Sequence, residues 1–190
     1  MIEIKNLIKS FNGNSIVNDV STTFIKGKTN LIIGQSGSGK TVLLKSLLGL
    51  HIPDSGEILY DGVSNKKMND SDKTLLRREM GMVFQGSALF DSMTVLENVM
   101  FPLTMLSDKS EEEVRQNAES AIQRVELDKA YSKLPSELSG GMQKRVAIAR
   151  AIVMNPKYLF CDEPNSGLDP RTSIIIDKLI QEITKEFNMT

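Results

Sequence analysis

Hydrophobic and polar positions alternate with period two near the N-terminus, and this pattern predicts a hairpin of two strands. The alternation runs through IEIKNLIKSF (2–11), and Asn12 with Gly13 is a hairpin-turn signal. SIVNDVSTTFI (15–25) is suited to the returning strand, and KGK (26–28) to a second turn. These segments predict a small antiparallel sheet.

An apolar run, a helical pattern and another strand follow. TNLIIG (29–34) is suited to a buried strand, and KTVLLKSLLGL (40–50) is suited to a helix that stops before Pro53. SGEILYDG (55–62) is typical of a short strand between glycines. A strand, a glycine-rich loop and a helix are therefore expected to follow one another around Gly34.

From about 92 to 155 the pattern becomes helical. Thr94 with Glu97, and Ser110 with Glu113, have the spacing of capping boxes at helix starts. Beyond this region, KYLFCDE returns to a buried strand and SIIIDKLIQEITKEF predicts a last amphipathic helix. The predicted organisation is an α/β core interrupted by a helical insert, with the small sheet beside it.

The composition disfavours nucleic-acid-binding, disulfide-stabilised and membrane-spanning classes of protein. The 190 residues are 40% hydrophobic and 25% charged with a formal net charge of −1, so no basic footprint for nucleic acid is present. Cys161 is the single cysteine, which excludes an internal disulfide and favours a reducing compartment. No apolar run approaches about 18 residues, so any membrane role would need a partner that supplies the spanning helices.

The glycine-rich segment GQSGSGKT fits the phosphate-loop pattern G-x-x-x-x-G-K-[ST] between a predicted strand and a predicted helix. Glycines let backbone N–H groups converge on one point, and the helix N-terminus adds partial positive charge there. Lys40 can reach the β- and γ-phosphates, and the Thr41 hydroxyl can ligate Mg²⁺. The predicted nucleotide-binding residues are Gly34, Gln35, Ser36, Gly37, Ser38, Gly39, Lys40 and Thr41.

Two carboxylates follow the predicted strand KYLFC. Asp162 is expected to hold Mg²⁺, and Glu163 to orient or deprotonate an attacking water. Neighbouring side chains of a strand point to opposite sides, so the strand must end near Asp162 if both are to reach one site. The alternative is that both carboxylates are solvated charges at the end of a strand. The presence of a phosphate loop in the same chain disfavours this alternative. Cys161 is expected to be a core residue.

A second anion-binding helix start is predicted in ELSGGMQKR. Ser139 is a good N-cap, and Gly140 and Gly141 allow a ligand to come close to the helix N-terminus. Because the phosphate loop already has its own helix, this second start is suited to a nucleotide on another chain. A two-fold dimer satisfies that geometry.

The order of phosphate loop, Gln85, LSGGM, YLFCDE and NSGLDP resembles the nucleotide-binding domain of ABC-type ATPases. By this resemblance Phe11 stands at the aromatic position that stacks on adenine, with a hairpin core residue as the alternative. Gln85 matches the glutamine that senses Mg²⁺ and the membrane partner, Ser139 begins the signature loop that acts in trans, and Asp169 links the two sites of a dimer. Met142 departs from the usual glutamine.

The resemblance implies an α/β fold with a P-loop NTPase (RecA-like) core, a small antiparallel β-subdomain and an inserted α-helical subdomain. The core and β-subdomain would occupy about 1–87 and 156–190, and the helical subdomain about 88–155. The implied ligands are ATP and Mg²⁺, with catalytic residues Glu163, Lys40 and Gln85 and metal ligands Thr41, Gln85 and Asp162. The implied partners are a second copy of the chain and a polytopic membrane permease.

A narrower resemblance is to the ATPase subunits of Mla-type lipid transporters, which work with MCE-domain proteins at the bacterial envelope. GMVFQGSALFDSMTVLENVMFPL carries it. It implies phospholipid transport, an MCE-type partner and a peripheral position on the cytoplasmic face of the inner membrane. The apolar residues of this stretch form a partner groove if exposed, or core if buried: Phe84, Leu89, Phe90, Met93, Val95, Val99 and Phe101.

The sequence leaves other functions open. Within ABC transporters these are lipoprotein release and small-solute import. A soluble ABC ATPase acting on DNA or ribosomes is disfavoured because long coiled coils and a second such domain are absent from the sequence. A small-molecule kinase with a phosphate loop is disfavoured by LSGGM and SGLDP.

The last residues, EFNMT, raise a separate expectation. In the family, the helix after SGLDP is followed by a buried strand that ends in a switch histidine at the γ-phosphate. In this sequence NMT (188–190) resembles the start of that strand. The one histidine, His51, is expected to be a surface residue at a helix end. The resemblance therefore implies a fragment of a longer ATPase that hydrolyses ATP poorly.

Overall fold

The alternating segments near the N-terminus form an antiparallel sheet. The computed structural model describes all 190 residues, and this sheet has the spatial order β2-β1-β3-β4. Its strands are β1 (Ile2–Phe11), β2 (Asn14–Phe24), β3 (Ser55–Tyr60) and β4 (Val63–Ser64). The predicted hairpin and the strand between glycines are both confirmed.

A bulge sets which side chains of β1 are buried. Ile2 and Ile4 alternate onto one face, and the register with β2 then shifts between Ile4 and Leu7. Asn6, inside this shift, has φ of +48°. The extra residue in β1 lets Leu7 join the buried face although its position is odd.

Two helices belong to the same compact unit as this sheet, which comprises residues 1–77 and 188–190. They are α1 (Lys40–Leu47) and α2 (Asp70–Arg78), the second of which lies in this unit except for its last residue, Arg78. Leu43, Leu44 and Leu47 bury one side of α1, and the Tyr60 hydroxyl of β3 donates a hydrogen bond to the carbonyl of Leu47. Burial also raises the pKa of Tyr60.

The second compact unit comprises residues 78–187. It contains a parallel pair, β5 (Met80–Val83) and β6 (Tyr158–Cys161), in register from Met80 with Tyr158 to Val83 with Cys161. Its helices are α3 (Val95–Leu106), α4 (Glu111–Arg124), α5 (Gly140–Ile152) and α6 (Pro170–Glu186). The predicted helical region, the strand before Asp162 and the last helix are confirmed.

The apolar run 29–34 is not the buried strand that its composition predicts. Residues 29–35 have no strand assignment, and Leu31 and Ile33 are 81% and 83% exposed. A buried strand is stabilised by hydrogen-bonded neighbours and by packing on both faces. Residues 29–35 pair with none of the six strands, so an apolar composition alone does not make them a strand.

The break between the two compact units lies between Arg77 and Arg78. β5 and β6 pair with each other, and this places them in the same unit as the helices. The division into a nucleotide-binding core and a helical subdomain stays a prediction. Residues 188–190 form no strand, but Met189 is fully buried and its carbonyl accepts a 2.6 Å hydrogen bond from the Gly27 N–H.

Both predicted capping boxes are present, and they generate a pH prediction. The backbone N–H of Thr94 and the hydroxyl of Ser110 are the main donors to Glu97 and Glu113, and they hold the pKa of both carboxyls below the ordinary glutamate value. Since the folded pKa is the lower one, this stabilisation is present above the ordinary pKa of about 4.3 and is lost as pH falls through the folded value.

We therefore expect Glu97→Gln with Glu113→Gln to reduce the loss of stability on acidification, because a glutamine keeps the cap but does not titrate. Urea unfolding between about pH 6 and pH 3 measures this. The exposed Glu182→Gln in α6 is the control. An acid dependence as steep in the double variant as in the control would contradict the prediction.

Candidate functional site

The glycine-rich loop 34–41 is exposed and leads directly into α1. Gly39 is the N-cap of α1 with φ of +91°, and Gly37 has φ of +79°, a region that favours glycine. A Cβ on Gly39 would lie 2.7 Å from the carbonyl oxygen of Ile16 in β2. Glycine is thus required at Gly39 both by the turn and by the close approach of the hairpin.

Lys40 lies across this loop. Its Nζ donates hydrogen bonds to the carbonyl oxygens of Gly34 at 2.9 Å and Gln35 at 3.0 Å. The ammonium is thereby held over the loop by neutral oxygens. Phosphate oxygens are stronger acceptors for an ammonium than carbonyls are, so an anion in the loop competes well for this cation.

Phe11 ends β1 in the same compact unit. The residue is 40% exposed, so the alternative of a buried hairpin core residue does not hold. The ring contacts His51, which is half-buried rather than the surface residue expected from the sequence. An exposed ring with fixed neighbours can offer a face for stacking.

The carboxyl ends of β5 and β6 bring together three predicted site residues. The Asp162 N–H donates a 2.9 Å hydrogen bond to the carbonyl of Val83, which aligns the two chain segments as they leave the strands. Gln85 Nε2 donates to Glu163 Oε2 at 3.0 Å. β6 ends at Cys161, one residue before Asp162, as the expectation of one shared site requires.

Glu163 has an unusual backbone conformation. Its φ is +45°, which is uncommon for a residue with a side chain and turns the chain sharply after β6. Gln85 Nε2 also donates to Ser166 Oγ at 3.3 Å, and the Ser166 N–H donates to the carbonyl of Glu163 at 3.0 Å. Outliers of this kind concentrate at functional sites. The sequence analysis missed Ser166, although it lies inside the segment NSGLDP.

Two cations of α5 hold the chain that follows β5, and the sequence analysis predicted neither contact. Lys144 is 4% exposed, and its Nζ donates to the backbone carbonyl of Gln85. Arg150 donates at 2.9 Å to the carbonyls of Ser87 and Ala88, residues with φ of +63° and +49°. Burial lowers the pKa of Lys144 and of Arg150.

A sequence signal for Lys144 exists. Lys144, Ile148 and Ala151 are spaced by four and three residues, so the lysine lies on the buried face of α5. A buried lysine requires an oxygen partner, which a loop carbonyl supplies.

The predicted N-cap at Ser139 is confirmed, because its Oγ accepts a hydrogen bond from the Met142 N–H at 3.3 Å. A Cβ on Gly141 would lie 2.6 Å from Thr172 Cγ2 in the first turn of α6. Asp169 caps that helix, with Oδ1 accepting from the N–H groups of Arg171 and Thr172 at 3.0 Å each. The hydrogen bonds from Thr172 hold the pKa of Asp169 below its usual value. The first turn of α5 and the first turn of α6 therefore contact each other within one chain.

The proposed metal ligands fit Mg²⁺ by donor type. Thr41, Gln85 and Asp162 offer hydroxyl, amide and carboxylate oxygens, and Gln85 directs its nitrogen to Glu163. No group of three or more His, Cys, Asp and Glu side chains is placed to hold a metal ion. Burial raises the pKa of the Cys161 thiol to about 12, which disfavours a reactive thiolate there.

The apolar stretch after Gln85 is partly core and partly surface. Val95 and Val99 are fully buried in α3, whereas Phe84 and Phe90 remain about 40% exposed. The Phe90 and Phe101 ring centroids lie 4.7 Å apart. No helix has the length and apolarity needed to span a bilayer.

Comparisons with known proteins agree with this geometry. The ABC transporter family profile matches residues 17–166. The chain is 40% identical over 189 residues to the probable ribonucleotide transport ATP-binding protein mkl of Mycobacterium leprae, covering 100% of this chain and 54% of that protein. It is 41% identical to the L-cystine import ATP-binding protein TcyC of Bacillus subtilis, covering 98% of this chain and 76% of that protein.

The chain thus spans about half the length of mkl. Among solved structures, the ATP-binding cassette MJ0796, described as a dimeric post-hydrolysis state bound to ADP and Pi, is 33% identical with a TM-score of 0.86. That likeness covers 100% of this chain and 85% of the cassette. The predicted P-loop NTPase fold class is confirmed.

The hydrogen bond from Lys144 in α5 to the Gln85 carbonyl can be tested by substitution. Lys144→Met removes the cation that pins the Gln85 carbonyl, so amide hydrogen exchange across 84–90 should quicken by about tenfold or more. Global stability should change less, because an apolar side chain of similar size suits the buried position. Lys129→Met, at an exposed position, is the control. Unchanged exchange across 84–90 would show that Lys144 does not hold this loop.

Proposed function

Because the chain belongs to the ABC transporter family, we propose that it is the ATP-binding and ATP-hydrolysing part of an ABC transporter. The observation that supports this most strongly is the phosphate loop, where Gly37 and Gly39 adopt positive φ ahead of α1 and Lys40 lies over the loop's carbonyls. This arrangement suits the β- and γ-phosphates of a nucleoside triphosphate. ATP is the nucleotide we propose, with Phe11 stacking on the adenine.

The proposed reaction is attack of water on the γ-phosphate, which breaks the bond to the β-phosphate and releases ADP and inorganic phosphate. Glu163 would orient the water or accept its proton, and Gln85, which donates to that carboxylate, would position it. Lys40 would stabilise negative charge on the transferring phosphoryl group. Bound Mg²⁺ would neutralise phosphate charge, and Thr41, Gln85 and Asp162 are the residues we propose to hold it.

A dimer is the proposed working form. We infer that two chains enclose two nucleotides, each γ-phosphate lying between Lys40 of one chain and the partner's Ser139, Gly140 and Gly141, with Asp169 linking the two sites. The dimeric state of MJ0796 supports this arrangement. The N-terminus of α5 supports it as well, because its capped first turn presents backbone N–H groups suited to an anion.

The proposed membrane partner is a permease that supplies the spanning helices. Phe84 and Phe90 are the exposed aromatic residues that we propose to meet it, next to a loop that Arg150 holds in place. The chain would then lie at the cytoplasmic face of the inner membrane as a peripheral subunit.

Two cargo classes follow from different observations. The likeness of GMVFQGSALFDSMTVLENVMFPL to Mla-type ATPases supports phospholipid, with an MCE-type protein as a further partner. The names of mkl and TcyC, a ribonucleotide transport protein and an L-cystine importer, favour a small polar solute instead. We propose phospholipid as the first candidate and small-solute import as the second.

Glu163→Gln tests the proposed reaction. The amide keeps the shape of the side chain and the contact to Gln85 but cannot accept a proton, so ATP should still bind while phosphate release falls by about 100-fold or more. Calorimetric titration with MgATP and a phosphate-release assay measure the two properties.

Lys40→Ala is the matched comparison, since it removes charge at the phosphates and should weaken ATP binding itself. Turnover by Glu163→Gln near that of the unaltered chain would remove Glu163 from the proposed role. Failure of the unaltered chain to bind ATP would overturn the proposed function.

Co-purification from detergent-solubilised membranes tests the cargo assignment. For a lipid transporter we expect the tagged chain to recover a polytopic permease, an MCE-domain protein and bound phospholipid detectable by mass spectrometry. Phe84→Ser with Phe90→Ser should lose the permease, because it removes the exposed aromatic surface. Recovery of a solute-binding protein without phospholipid would favour the second cargo class. Recovery of ribosomes or DNA-repair proteins alone would contradict both.

A further inference from the structure

The ring of Phe11 is held from two directions although it is exposed. The His51 ring lies edge to face with it, at 5.2 Å between centroids and 72° between planes. Lys9 Nζ lies over the Phe11 ring, 5.1 Å from its centroid, and is fixed by a 2.8 Å ion pair with Asp54. Asp54 also accepts a 2.6 Å hydrogen bond from the Ser10 N–H, which fixes the backbone next to Phe11.

His51 reaches this position from the end of the phosphate-loop helix. The backbone N–H of His51 donates a 3.2 Å hydrogen bond to the carbonyl of Lys45, in the last turn of α1. The same helix begins at Lys40, directly after the glycine loop. The imidazole therefore connects one end of α1 to the Phe11 ring, while the other end of α1 carries the phosphate loop.

We propose that His51 is a positioning residue for Phe11, fixing the orientation of the ring on which the base of a bound nucleotide stacks. This inference rests on the proposed binding of ATP. A base stacks best on an aromatic face that is already oriented, because no further side-chain entropy is lost on binding. The imidazole acts through Phe11 and touches neither the base nor the phosphates.

The test compares His51→Leu with His51→Phe in the full chain. Leucine fills the space without a ring, and phenylalanine restores the edge-to-face contact. We expect His51→Leu to weaken ATP binding by about threefold to tenfold, and His51→Phe to bind ATP like the unaltered chain. Inorganic tripolyphosphate, which has no base, should bind all three proteins equally. Ile52→Ala, at a position 82% exposed, is the control.

A double-mutant cycle with Phe11→Ala completes the test, because His51→Leu should have no further effect on ATP binding once the Phe11 ring is absent. Equal weakening of ATP and tripolyphosphate by His51→Leu would overturn the proposal, since the residue would then act on the phosphate loop or the fold. Unchanged ATP affinity in His51→Leu, or loss of affinity in His51→Phe, would overturn it too. If the unaltered chain binds neither probe, the proposed function itself fails.

Discussion

A buried ammonium group is the constraint on which the arrangement after β5 depends. Lys144 has almost no contact with solvent, so it must find an oxygen within the protein, and it finds the backbone carbonyl of Gln85. Arg150, six residues further along α5, holds the carbonyls of Ser87 and Ala88. With its backbone held, Gln85 can direct its side-chain amide at Glu163. Through Lys144, α5 therefore helps to place Gln85 beside the Glu163 carboxylate.

The phosphate loop depends on a different constraint, the absence of side chains. Gly37 and Gly39 adopt positive φ, and at Gly39 a Cβ would collide with the carbonyl of Ile16. The loop can thus curl tightly against the hairpin. Lys40 completes the loop by bonding its carbonyls. Glu163 differs from these glycines because it carries a side chain and still adopts a positive φ, which turns the chain after β6.

Local patterns in the sequence predicted the elements well where neighbouring residues decide the outcome. The hairpin at Asn12-Gly13 and the caps at Thr94, Ser110 and Ser139 are all present because each depends on residues within one turn. The apolar run 29–34 was predicted wrongly, since a strand also needs neighbours that its own sequence does not specify. Lys144 and Ser166 were missed for the related reason that their partners are distant along the chain: Lys144 bonds Gln85, 59 positions away, and Ser166 meets the same residue across 81 positions.

The central claim is that residues 34–41 hold the phosphates of ATP. The most direct measurement follows the amide resonances of Gly37, Gly39, Lys40 and Thr41 in isotope-labelled protein as a non-hydrolysable ATP analogue is added with Mg²⁺. The account predicts that these resonances shift together and saturate at one dissociation constant, and that inorganic tripolyphosphate moves the same set. Resonances that stay in place while the analogue binds elsewhere on the chain would contradict it.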